Sequence, residues 1–448
     1  MSFSVATAAT SYMINGFNPD NSSSLSSDER TMVERRRKLL GPSYKLFYEH
    51  PVHVVRGEGV WLYDPDGNKY LDVYNNVPSV GHCHPRVVDA IARQSCVLNT
   101  HTRYLHDAIL NYSEDLLATY PDEIGNVMYT CTGSEAVDLA LRISRYFTEG
   151  TGVIVTSNAY HGLTTAVAEL SPSMGPNVPI GQHVYTVAPP DSYREGVDVG
   201  EAFARRVRDA IDQMERHGIK LAAMIADGIF STDGVLTEPA GFLKKAVEVV
   251  QRAGGLYIAD EVQPGFARTG SHWWGFQRHG IVPDLVVMGK PMGNGMPIAG
   301  VAMKPEVVER FGTDIRYFNT FGANTVSIAA AQAVLDVIKD EQLMENCTKV
   351  GAYMLDGMKK LQDKHDSIGE VRGTGLFLGL EFVKDRQSKE PDAERSLRVV
   401  NALREKRILI SACGQTGNVL KIRPPLPFTA SHADIFLDRL SETLDEIA

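Results

Sequence analysis

The chain has few cysteines: Cys83, Cys96, Cys131, Cys347 and Cys413 are five among 448 residues, with no C-x-x-C pair. A scattered, odd-numbered set does not make a disulfide framework, so a reducing, cytoplasmic compartment is expected. No apolar run approaches the roughly 18 residues that suggest a membrane span. The opening "MSFSVATAATSYMINGF" also lacks the basic cluster and continuous apolar core of an export signal. Excess positive charge is missing as well. With 45 Lys and Arg against 55 Asp and Glu, the net charge is -10, which gives no long-range attraction for nucleic acid or anionic membrane. An anionic ligand would need a local cluster of cations. There is no internal repeat, and no low-complexity tract follows residue 27.

What is present is ordinary globular composition, 43% hydrophobic and 22% charged. The length exceeds what one core usually serves, which implies a large domain and a smaller lobe. Residues 1–30 read as an N-terminal arm, partly disordered. The serine-rich "NPDNSSSLSSDER" ends in a helix start, with Ser27 ahead of "DERTMVERRRKLL". Within 31–84, "VHVVRGEGVWLYDPDGNKYLDVY" alternates apolar and polar residues around a "DPDGN" turn, so a small meander packing with the small domain is expected. From 85 to 335, helical patterns such as "SEAVDLALRISRYF" alternate with short apolar runs such as "GVIVTS", "GLYIAD" and "DLVVMG". That alternation predicts an α/β domain with a mostly parallel sheet covered on both faces. Residues 336–448 change to a C-terminal α+β lobe.

In open α/β sheets, ligands bind beyond the carboxyl ends of the strands. Three such ends carry polar chemistry here. "LYIADEVQPG" ends in Asp260 and Glu261, "DLVVMGK" ends in Lys290, and "VMYTCTGSEAVDLA" breaks into Thr132, Gly133 and Ser134 at a helix start. The helix start is an anion cradle or a plain cap by Ser134. The carboxylates alone could be structural. A lysine at an apolar strand end is rarer, because burying an ammonium is costly unless it is paired or loses its proton. "GHCHP" offers His82, Cys83 and His84, but a tight turn is preferred over a metal set, since no further ligand cluster accompanies it.

A Schiff-base lysine, a carboxylate for a pyridine nitrogen and a helix terminus for a phosphate are what a protein contributes to pyridoxal-phosphate chemistry. The ordered set "GHCHPRVVDAI", "TGSEAVDLALR", "YHG", "DEVQPGFARTG", "PDLVVMGK" and "TFGAN" resembles the class III aminotransferases of pyridoxal-phosphate fold type I. The resemblance implies a large domain with a mixed, mostly parallel sheet and a small α+β domain. It implies pyridoxal 5'-phosphate as cofactor, Lys290 as its covalent anchor and proton shuttle, and Asp260 paired with the pyridine nitrogen. Val262 and Tyr160 would sandwich the ring, and Gln263 would sit near its phenolic oxygen. Gly133 and Ser134 would hold the phosphate with Thr320 of a partner subunit, which makes the active unit a homodimer.

The resemblance leans towards the ethanolamine-phosphate phospho-lyase branch through "NNVPSVGHCHP" and "LNTHTRYLH". Many family aminotransferases carry a carboxylate-clamping arginine three residues before paired prolines; here "NVLKIRPPLPF" has Lys421. A lysine does not reproduce the planar guanidinium fork. On a strand, Lys421 and Arg423 would share a face and could flank a phosphate dianion; otherwise both are solvated. Asp227 stands where the family usually has a glutamate, and Arg103 is a further candidate for substrate contact. The expected reaction is elimination of phosphate from O-phosphoethanolamine or a close analogue, a small phosphorylated amine. The alternatives are an ω-amino acid or amine aminotransferase, and an ammonia-lyase acting on a hydroxylated aminophosphonate.

Overall fold

The computed structural model describes residues 13–196 and 198–447. Of the arm expected over residues 1–30, residues 1–12 therefore lie outside the described residues. The strands in chain order are β1 (Arg56–Glu58), β2 (Trp61–Tyr63), β3 (Lys69–Asp72), β4 (Asn126–Thr130), β5 (Gly152–Thr156), β6 (Val184–Val187), β7 (Leu221–Ala226) and β8 (Leu256–Asp260). They continue with β9 (Leu285–Met288), β10 (Ala299–Met303), β11 (Ile368–Thr374), β12 (Phe377–Phe382), β13 (Ile408–Leu409), β14 (Ser411–Cys413) and β15 (Val419–Ile422).

Seven of them form the central sheet, in the order β4-β10-β9-β8-β7-β5-β6. The run from β6 to β9 is parallel, and β10 is antiparallel to both β9 and β4. The apolar runs have no polar alternation because both faces are covered. Successive side chains point to opposite faces: Val153 and Val155 enter one apolar cluster, while Ile154 between them enters the other. The same split separates Ile258 from Tyr257 and Ala259, and Val287 from Val286 and Met288. The helix Gly133–Thr148 covers the first face with Val137, Leu139, Ala140 and Ile143. The helices Val199–Arg216 and Lys244–Arg252 cover the second with Phe203, Val207, Ile211, Val247 and Val250.

Two smaller sheets complete the chain. β1, β2 and β3 form the expected meander, and the late strand β13 joins it in parallel beside β3. The order of the other sheet is β11-β12-β15-β14, antiparallel throughout. The first long helix, Ser27–Leu40, begins one residue earlier than the sequence suggested. Its cap is Ser26, whose hydroxyl accepts from Glu29 N while the Glu29 carboxylate accepts from Ser26 N, a capping box that Ser27 could not make with a residue three positions on.

Candidate active site

The carboxyl ends of β4, β5, β7, β8 and β9 lead into one cavity, lined by Gly133, Ser134, Tyr160, His161, Gly162, Asp227, Asp260, Val262, Gln263 and Lys290. β8 and β9 are adjacent and parallel, with Asp260 opposite Val287. That register brings Asp260 and Lys290 to the same edge although 30 residues of sequence separate them.

Lys290 follows Gly289 at the end of β9 and takes a positive φ of 28°. A lysine there is strained, and it opens a single turn of 3-10 helix that carries the chain away from the sheet. Its ammonium makes no ion pair among the described residues. Burial first, then the nearby charge of Arg423, pushes its pKa down to about 8, with Lys421 acting the same way and Asp260 opposing. An amine so placed sheds its proton close to neutral pH.

Asp260 is 6% exposed. One carboxylate oxygen accepts from Val262 N at 3.1 Å, and the other lies 2.7 Å from Nδ1 of buried His161. Nε2 of that imidazole is buried without a partner. Its neighbour Glu261 turns the opposite way and is fully buried. Both its oxygens accept from the backbone, Gly275 N at 2.7 Å and Phe276 N at 2.8 Å. Burial pushes its pKa up to about 8. Of the two acids in "ADEV", one faces the cavity and the other holds a loop.

The helix Gly133–Thr148 is capped by Thr132, not by Ser134. Thr132 Oγ1 accepts from Glu135 N at 3.2 Å, and Glu135 reaches back to Thr132 N. Ser134 Oγ instead accepts from Leu163 N at 3.1 Å, which ties the helix start to the loop carrying Tyr160 and His161. Gly162 permits that approach: it has φ 144°, and a Cβ on it would stand 2.5 Å from Ser134 Oγ. A Cβ on Gly133 would meet Val262 at 3.2 Å.

Lys421 and Arg423 come from a different sheet. β15 pairs Lys421 with Gly379 of β12 and Ser411 of β14. Both cations are buried, at 6% and 7% exposure, and neither makes an ion pair among the described residues. They sense each other and Lys290. Arg423 Nη1 donates to Asn76 Oδ1 at 3.0 Å and to Gln263 Oε1, and its guanidinium lies 4.3 Å from the Tyr74 ring centroid. Burial and Arg423 push the Lys421 pKa down to about 8. Two acids stand within electrostatic reach of Lys421 without bridging to it. Asp227 bends back onto its own turn, accepting from Ile229 N at 2.9 Å and from the Ser231 hydroxyl at 2.6 Å. Asp233 accepts from the Thr156 hydroxyl at 2.8 Å, and burial raises it to about 7.

Two expected residues lie apart. Arg103 is exposed with its guanidinium over Phe318, 3.8 Å from the ring centroid, and Thr320 is exposed on the following loop. Asp227 lines the cavity but presents a carboxylate already engaged. Three residues were not singled out from sequence: His161, Tyr74 and Asn76. "YHG" held the signal for the first, since an imidazole beside a buried acid orients it. Nothing local marks Asn76, whose partner stands 347 residues away.

These residues fit a pyridoxal phosphate. The N–H groups of Gly133 and Ser134 at the helix start suit its phosphate. Val262, buried, and Tyr160, 38% exposed, both line the cavity and offer apolar and aromatic surface for a flat ring. A carboxylate held by an imidazole suits a pyridinium nitrogen, and an amine of low pKa suits an aldehyde. The sheet and the placement of these groups at its carboxyl edge are those of a pyridoxal-phosphate enzyme of fold type I. The family described as aminotransferase class-III matches residues 46–444, and the chain belongs to it. It is 38% identical over 430 residues to an alanine-glyoxylate aminotransferase 2-like protein of Drosophila melanogaster, spanning 93% of this chain and 87% of that one. It is 37% identical over 422 residues to ethanolamine-phosphate phospho-lyase homolog 1 of Caenorhabditis elegans, spanning 90% of each. A solved phospholyase from Arthrobacter, in complex with phosphoethanolamine, superposes with a TM-score of 0.90 at 41% identity, covering 92% of this chain and 99% of that one.

Proposed function

We propose that the chain is a pyridoxal-phosphate-dependent phospho-lyase that eliminates phosphate from O-phosphoethanolamine or a close analogue, leaving an aldehyde and ammonia. The observation that carries this reading is the pair of buried cations, Lys421 and Arg423, with no carboxylate among the described residues bound to either. Burying unpaired charge is costly, so the arrangement favours an anionic ligand. A phosphate dianion matches two cations, whereas one carboxylate leaves a charge over. Lys421 moreover lacks the fork that grips a carboxylate bidentately. The phospho-lyase names of the Caenorhabditis relative and the Arthrobacter neighbour support the same substrate class.

In this reading Arg423 and Lys421 hold the phosphate, which turns the amine end of the substrate towards Lys290. The bound cofactor supplies an electron sink for the pair released when a C–H bond breaks. Lys290 removes the proton from the carbon bearing the amine, and Asp260, oriented by His161, keeps a proton on the ring nitrogen. The C–O bond to phosphate breaks next, with the two cations balancing the charge that departs. The unsaturated amine product takes up water and releases ammonia.

The rival reading is an aminotransferase. Arg423 supports it, since its guanidinium can grip a carboxylate, as does the name of the Drosophila relative. An ammonia-lyase acting on a hydroxylated aminophosphonate would use the same anion end. A catalytically silent relative is disfavoured because Lys290 and Asp260 are both in place. The homodimer belongs to the same proposal: Thr320 is exposed beside Phe321 (68%), and Leu105 (101%) and Val97 (79%) are further exposed apolar side chains that a partner subunit could cover. A cytoplasmic setting is supported by five free cysteines; no helix of the described residues is long and apolar enough to cross a membrane.

The test is direct. Purified enzyme with phosphoethanolamine should release inorganic phosphate and ammonia in equal amounts, and an amine donor with pyruvate should give no alanine. Alanine without phosphate release would sink the lyase reading in favour of transamination. Ammonia from a hydroxylated aminophosphonate, with none from phosphoethanolamine, would favour the third reaction.

A further inference from the structure

Arg372 binds Glu370 and Glu381, and Arg194 binds Asp191 and Glu381, whereas buried Arg268 is held by the carbonyls of Leu376 and Pro424. Among the described residues, Arg423 too is held by neutral groups alone. Asn76 and Gln263 give it amide oxygens, Tyr74 gives it a ring face, and its Nε is buried with no partner. An amide oxygen and a carboxylate oxygen accept the same hydrogen bond, but only the carboxylate cancels the charge.

The position of Asn76 is strongly constrained. It is 1% exposed, and its amide nitrogen donates to Gln263 O at 3.5 Å. The turn before it is shaped by Asp72, which accepts from Tyr74 N at 3.1 Å and Asn75 N at 2.8 Å and pairs with His82 at 2.7 Å. Arg423 N donates to Val73 O at 2.9 Å, so the segment carrying Tyr74 and Asn76 is joined by backbone to the residue it holds.

We propose that Asn76 is a specificity-determining positioning residue: with Tyr74 it fixes the direction of the Arg423 guanidinium without neutralising it, so the site prefers a doubly charged phosphate or phosphonate group to a singly charged carboxylate. This rests on the anion-binding reading of Lys421 and Arg423 given above. A carboxylate at position 76 would compete with the ligand for the same guanidinium.

The experiment compares Asn76→Asp with Asn76→Ala in the holoenzyme at pH 8. Asparagine and aspartate have the same shape, so Asn76→Asp changes charge, whereas Asn76→Ala removes the hydrogen bond and keeps the charge. Inorganic phosphate and acetate binding are measured by calorimetry, and KM and kcat by phosphate release. Asn76→Asp is expected to weaken phosphate by about ten-fold or more, since opposite charges in contact within a protein interact far more strongly than in water. Asn76→Ala should weaken it by about three-fold or less. Acetate should weaken less than phosphate in Asn76→Asp, and the loss in turnover should fall on KM. Equal phosphate affinities in the two variants, or equal weakening of phosphate and acetate, would overturn the inference. Should Asn76→Asp lose its fold by circular dichroism, Gln263→Glu decides, since it places a carboxylate on the same guanidinium: selective loss of phosphate over acetate supports the inference, and unchanged selectivity overturns it. Wild-type enzyme that binds phosphate yet releases none from phosphoethanolamine defeats the lyase reading alone, because the binding comparison needs no turnover.

Discussion

Arg372 and Arg423 are borne by the same four-stranded sheet, one on β11 and one just past β15, and both are almost fully buried. Arg372 sits among Glu370, Glu381 and the carbonyls of Gly234 and Val235. Its charge is satisfied, and the network pins the loop after β7 to the small sheet. Arg423 has amides, a ring and an unpartnered Nε. The pair shows that burial alone does not distinguish a structural cation from one held for a ligand. Neutral partners alone do not either, since buried Arg268 meets the carbonyls of Leu376 and Pro424; Arg423 differs in reaching Gln263, which lines the cavity.

Three experiments sharpen that contrast, beginning with the largest effect. Lys290→Ala should lower turnover by about 10³-fold or more, the range set by loss of a positioned acid–base group. It should also abolish the absorbance of the covalently held cofactor, while the melting temperature stays close to wild type. Next, the two arginine networks should fail in opposite ways. Arg423→Met should raise KM for phosphoethanolamine by roughly 100-fold, about 3 kcal/mol, as expected when one partner of a buried charged contact is removed. It should cost little in thermal stability, because no carboxylate is left unpaired. Glu381→Gln should do the reverse. It leaves Arg372 and Arg194 short of a counter-charge, costing about 3 kcal/mol of stability, with KM changed by less than about two-fold. Denaturation curves and steady-state kinetics on both variants separate the outcomes; a stability loss in Arg423→Met equal to that in Glu381→Gln would erase the distinction.

The smallest effect is one of pH. The Lys421 pKa is pushed down to about 8, chiefly by burial and then by Arg423. The ammonium is therefore present below that pH and lost as pH rises through it, and phosphate affinity should fall in the same direction, by several-fold between about pH 7 and 9. Lys290 titrates near the same value in the unloaded site, so the comparison with Lys421→Met matters. That variant should lose the alkaline limb in phosphate binding.

Much of this was legible in the sequence, for physical reasons that differ by element. The apolar runs of β5 and β7 to β9 are continuous because both faces of the sheet are covered, so the fold class could be read from them. Lys290 and Asp260 stood out because charged groups at the ends of such runs are costly to bury. The helix start at Gly133 was legible too, but its cap was not. Thr132 and Ser134 are both capping residues by type, and only the side chain of Glu135 reaching back to Thr132 N decides between them. Asp227 was expected as a substrate contact by position; it lines the cavity, and the bonds that its own turn makes to its carboxylate were not legible.

By itself the sequence determined the chemistry that the strand ends could carry: continuous apolar runs and the cost of stranded charge are local properties, written in neighbouring residues. Only the tertiary structure decided what surrounds each charge. Arg423 meets Asn76 across 347 residues and Gln263 across 160, and Asp260 meets His161 across 99. Whether a buried cation is neutralised or left open depends on atoms within a few ångströms, and chain order says nothing about which atoms those are until the sheets have packed.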